Sequence, residues 1–154
     1  MAVGNWTFFP RWRKNMGNAG FAAGALTGHV KMLLYTSAAV LSAKTPVSCY
    51  FSLGTTNEVA STNDYGHGGK LCSTATWLSA LSINNMRFTI NSKSFKGSSG
   101  AINNIRYAVL VTSGASTKAN KLICWSALST AQFNLASGNT LTVSPAATGV
   151  FNLT

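Results

Sequence analysis

Carboxylates are nearly missing from this chain. Of its 154 residues only Glu58 and Asp64 carry one, against 12 lysines and arginines, for a formal net charge of +10. Chemistry that needs paired acids is therefore excluded unless these two meet in the one loop they share. The surplus of positive charge favours an acidic partner, either nucleic acid or an acidic protein surface. Charge of any sign is scarce, at 9% of residues against roughly 25% in ordinary soluble domains. Ser, Thr, Asn and Gly fill the gap, the palette of a β-rich surface with many turns.

Other absences narrow the reading further. No apolar run approaches the roughly 18–20 residues that span a bilayer, so no membrane role is expected. The N-terminal cluster of basic residues follows the aromatics instead of preceding an apolar stretch, the reverse of a signal peptide. Three cysteines, Cys49, Cys72 and Cys124, are odd in number and far apart. They fit neither a disulfide framework nor a zinc cluster and predict buried free thiols in a reducing compartment. Phosphate-loop, dinucleotide-fingerprint and nucleophile-elbow patterns are missing. Asp64-Tyr-Gly-His67, with Cys72 close by, is the one place where acid, imidazole and thiol are near in sequence. Its glycines favour a turn in which Asp64 bonds backbone and His67 is exposed. His29 is expected at a strand surface or edge. The chain is therefore expected to be no enzyme, with no metal and no cofactor.

What is present is strand-like. In residues 29–34, His29, Lys31 and Leu33 alternate with Val30, Met32 and Leu34, predicting a strand with one inward face. Residues 47–51 are ambiguous between strand and turn. A long polar stretch follows, holding Glu58, Asp64, His67 and the turn glycines Gly66, Gly68 and Gly69. The period over 71–83 is unclear, with at most a short helix there. Met86, Phe88 and Ile90 share one face of a strand, and residues 92–104 read as a connector. Ile105 to Ser113 form a near-continuous apolar run of the kind that sits centrally in a sheet. A loop joins it to a second strand at 120–128, as in a hairpin. The end of the chain alternates, turns at Ser137-Gly138-Asn139 and closes on Val150 to Leu153. Many short strands with Gly and Ser turns predict an all-β fold, an antiparallel β-sandwich of jelly-roll type over residues 28–154.

Residues 1–27 differ from the rest. Two tryptophans, two phenylalanines and three basic residues crowd around Pro10 without a steady period, and Pro10 biases Phe9 toward an extended backbone. This predicts an extended N-terminal arm and flexible segment that docks on a partner through Trp6, Phe8, Phe9, Arg11, Trp12, Arg13 and Lys14. The alternative is a first strand folded back on the core. Cations mixed with stacking faces also suit single-stranded nucleic acid. The remaining basic residues are scattered singly, however, so nucleic acid stays open but is not favoured.

The order of segments resembles a group of small structural proteins of tailed bacteriophages, the virion or decoration proteins. An early strand of the form "ikvaLyts" corresponds to Val30–Ser37, and a loop "tnEvsgtgYtaGGk" to Thr56–Lys70. "aRYaVLy" is similar to Ile105–Val111, "kpLiayvdl" to Asn120–Leu128, and a terminal "tltvtwnaaGif.L" to Thr140–Leu153. The likeness covers roughly residues 28–154. Two features depart from the group, which carries more acidic residues between these motifs and has no counterpart of the N-terminal arm. The resemblance implies a virion role: a capsid decoration (cement) protein on the outer surface of the expanded head, partnered by the major capsid protein and assembled as a homotrimer or homodimer. A head–tail joining or tail-associated protein and a basic nucleic-acid-binding β domain are the alternatives. Within that frame Arg106, ahead of the central strand, is expected to reach loop carbonyls or Glu58 in a planar fork and tie the long loop to the sheet.

Overall fold

The structure, a computed structural model, describes residues 6–10, 12, 26, 28–39, 41, 55–79, 86–113, 121–145 and 149–153. Over these residues the chain is all-β and antiparallel. A five-stranded sheet runs in the order β1 (Thr7–Phe8), β9 (Leu122–Ala127), β8 (Tyr107–Thr112), β2 (Val30–Tyr35) and β3 (Lys70–Cys72). Three smaller sheets accompany it. β5 (Met86–Thr89) lies between β4 (Thr76–Ser79) and β12 (Phe151–Leu153), β6 (Lys93–Lys96) pairs with β11 (Thr140–Val143), and β7 (Ile102–Ile105) pairs with β10 (Phe133–Leu135).

The apolar run of β8 takes the centre of the large sheet because it buries both faces. Ala108 and Leu110 point to one side with Val30, Met32, Leu34, Ile123 and Cys124, into a core shared with Phe88, Phe95, Ile102, Ile105, Leu141 and Val143 of the smaller sheets. Val109 and Val111 point to the other side with Leu33, Tyr35 and Leu122, where Phe9, Ala39 and Leu41 cover them. The single inward face expected for residues 29–34 is thus corrected: Leu33 and Tyr35 are as buried as Met32 and Leu34. β8 and β9 form the expected hairpin pair, with a register shift after Leu110 that sets Val111 opposite Leu122. Its loop at 114–120, and the ambiguous segment at 47–51, lie outside the described residues.

One expectation fails on strands whose partners are remote in sequence. The connector at 92–104 contains β6 and β7, each with few large apolar residues of its own. Phe95 lies opposite Leu141, and Ile102 and Ile105 opposite Leu135 and Phe133, so pairing across 28 to 46 residues supplies what local pattern lacks. Over 71–83, where at most a short helix is expected, the described residues as far as Ser79 hold the end of β3 and all of β4.

The boundary expected between residues 27 and 28 is not marked in the packing. Thr7 and Phe8 pair with Trp125 and Cys124, and Phe9 N–H bonds the Ile123 carbonyl at 3.2 Å. Trp12 and Leu26 belong to the main core. The alternative of a first strand folded back on the sheet describes these residues.

Candidate functional site

The long loop between β2 and β3 is built around the buried Glu58. Val59 N–H bonds the Leu34 carbonyl and Thr36 N–H the Asn57 carbonyl, each at 3.0 Å, so the loop begins by docking alongside the end of β2. This carries Glu58, 3% exposed, into the interior. A carboxylate there requires donors, and the loop brings them. Tyr65 Oη donates to Glu58 Oε1 at 2.5 Å, and Gly68 N–H donates to the same oxygen at 2.8 Å. Tyr65 Oη also accepts from Leu34 N–H at 3.0 Å, which ties the ring to β2. Burial first, and the Glu58 charge second, hold the Tyr65 hydroxyl well above its ordinary pKa, so it remains a donor. His67, half exposed, places Nδ1 4.0 Å from Glu58 Oε2.

The motif's second glycine has a steric reason. Gly69 has φ +71°, and a Cβ there would lie 2.2 Å from the Met32 carbonyl oxygen. Only glycine allows the loop to re-enter the sheet as β3 this close to β2. Asp64 faces outward. Lys70 Nζ donates to its Oδ2 at 2.5 Å and Lys96 N–H at 3.0 Å, and the Lys70 bond is the main cause of a pKa lowered from the usual carboxylate value, against a smaller opposing effect of burial. The two acids therefore serve separate partners and do not form a pair. Cys72 is buried, which raises its thiol to about 11, and Cys124, fully buried, lies well above its ordinary value. Both are free thiols, as expected, and protonated at neutral pH; Cys49 lies outside the described residues. Among the described residues no three His, Cys, Asp or Glu side chains converge.

Arg106 does not take the role expected of it. The described hydrogen-bond donors to Glu58 include Tyr65 and Gly68, while the Arg106 guanidinium lies over the Tyr107 ring, 5.3 Å from its centroid. Its backbone is what binds the sheet: the Arg106 N–H reaches the Tyr35 carbonyl and its carbonyl accepts from Leu128 N–H, both at 2.9 Å. The residue sits at the break between β7 and β8. The anchor that sequence reasoning missed is Tyr65. Its signal was its place between a lone Glu and a Gly-Gly pair.

Of the expected docking residues, Phe9 and Trp12 are each 1% exposed and hence unavailable to a partner. Trp6 and Phe8 are partly buried against the main core. Arg11, Arg13 and Lys14 lie outside the described residues.

Compared with family models, curated proteins and solved structures, the chain matches none.

Proposed function

We propose that the chain is a capsid decoration protein of a tailed bacteriophage, which binds the outside of the expanded head and bridges neighbouring capsid subunits as a homotrimer or homodimer. The observation that carries this reading is the unity of the loop motif. Glu58, Tyr65, Gly68 and Gly69 are the positions through which Thr56–Lys70 resembles the phage group, and they meet in one buried hydrogen-bonded cluster and one close backbone approach. A likeness concentrated on residues that determine the loop's shape supports a shared fold, and with it a shared virion role. A jelly-roll sandwich is the finer form of this proposal, supported by antiparallel pairing throughout and by a core that the large and small sheets share.

Charge supports an acidic partner. The two carboxylate side chains of the chain are both engaged internally, Glu58 with Tyr65 and Gly68, Asp64 with Lys70 and the Lys96 N–H. The twelve lysines and arginines therefore have no further carboxylate side chain of the chain to pair with. Docking would bury apolar area and pair these cations with capsid carboxylates, without bond chemistry. With Phe9 and Trp12 committed to the core, the partly buried Trp6 and Phe8 and Arg11, Arg13 and Lys14 are the part of the proposed arm left to serve the shell. The alternative is a head–tail joining or tail-associated role.

Quantifying the protein against the major capsid protein in purified virions tests the reading. Decoration predicts a fixed, simple ratio to the capsid subunit. A few copies per particle would move the protein to the joining or tail structures, and absence from the virion would end the proposal.

A further inference from the structure

One patch has the composition of an interface centre and lies at the rim of the second core, against which its two rings pack while remaining partly exposed. On the face of the central sheet away from the main core, Tyr107 and Trp125 are half-buried and meet edge to face, with ring centroids 5.6 Å apart. Arg106 lies across the Tyr107 ring. Their strand neighbours are Ala127, opposite Tyr107, and Thr7, opposite Trp125, both exposed and small. Trp, Tyr and Arg are the residues in which binding energy concentrates at protein interfaces.

The arginine is also held in advance. Its backbone is bonded on both sides, to Tyr35 and Leu128, and its Nε is buried without a hydrogen-bond partner. The Nη groups make no hydrogen bond to an acceptor among the described residues. A guanidinium fixed at its base, stacked on a ring and left with free outer donors suits a carboxylate, which accepts two parallel N–H bonds. Little order remains to be imposed when it binds. The chain has no carboxylate to spare for this position.

We infer that Arg106, Tyr107 and Trp125 form the contact through which the chain grips an acidic polypeptide surface, the guanidinium taking a carboxylate while the two rings cover its flank. Nucleic acid fits this patch less well. A phosphate backbone calls for a row of cations, and the described strand neighbours, Thr7, Tyr35 and Ala127, are uncharged. The inference rests on the decoration reading only for the identity of the partner.

Fluorescence anisotropy at low ionic strength tests it, with labelled decaglutamate and labelled decathymidylate as probes for the intact protein. Arg106→Gln is expected to weaken decaglutamate binding tenfold or more. Lys121→Gln, which removes the same charge at the far end of the β8–β9 pair, is expected to weaken it less than twofold. Arg106→Lys keeps the charge and both backbone bonds, so it separates the planar fork from charge and from folding; it is expected to lose several-fold. Equal losses in Arg106→Gln and Lys121→Gln would overturn the inference in favour of diffuse charge. Dependence on Arg106 for decathymidylate alone would overturn it in favour of nucleic acid. Arg106-dependent decaglutamate binding without binding to capsid shells keeps the patch and removes the decoration reading. Shell binding indifferent to Arg106→Gln does the reverse.

Discussion

Tyr65 and Asp64 each leave a measurable mark on the loop that holds both acids. Tyr65 donates to a carboxylate that is buried and has the Gly68 N–H as its other described donor at the same oxygen. Removing the hydroxyl while keeping the ring leaves that oxygen underpaired. Tyr65→Phe is expected to cost about 1–3 kcal/mol in urea unfolding, and protease cleavage of the loop would rise with it; unchanged stability would show that the Glu58 contact contributes little. Asp64 gives a pH signature. Its folded-state pKa is lowered by the Lys70 bond, so the stabilisation is fully present above the unfolded value and is lost as pH falls through the lowered folded value. The window is therefore below about pH 4. Because the pair is exposed the effect is small. Asp64→Asn is expected to lie slightly below the unmodified protein at pH 6 and to converge with it in acid. A gap that widened on acidification would contradict the assignment.

At the scale of elements, the N-terminal segment and the interior strands teach the same lesson. Phe9 and Trp12 are in the core, so Phe9→Ala and Trp12→Ala are each expected to cost about 3–5 kcal/mol, measured by denaturant unfolding; a cost near zero would return these aromatics to a docking role. Sequence alone made β2, β5, β8, β9 and β11 legible, because alternation or a continuous apolar run marks them. It did not reveal β6 and β7, whose Phe95, Ile102 and Ile105 make sense only opposite Leu141, Leu135 and Phe133. The aromatic crowd before Pro10 has no period of its own for a related reason. Phe8 packs against one face of the large sheet and Phe9 against the other, so the segment runs along the sheet edge beside β9 and alternates between two cores. Glu58 was legible as an anchor from its rarity, whereas its partner was not, since choosing Tyr65 over Arg106 depends on how the loop folds against β2.

For the whole molecule, the governing feature is a positive charge that the chain cannot neutralise by itself. With Glu58 held in the interior and Asp64 bonded at the surface, the proposed attraction to an acidic surface would draw on the chain's surplus cations, and the proposed Arg106–Tyr107–Trp125 patch would supply a point of register within it. Removing residues 1–14 is a poor test of docking, since it would take Phe9 and Trp12 from the core. Replacing Arg11, Arg13 and Lys14 by Gln leaves the buried aromatics in place and is the cleaner variant. The measurement that bears most directly on the account is co-sedimentation of the protein with undecorated expanded capsids, with duplex DNA as competitor. The account predicts saturable binding at a fixed ratio per capsid subunit, indifferent to DNA and reduced in the triple Gln variant. No binding to shells, together with retention on DNA that falls steeply with salt, would contradict it.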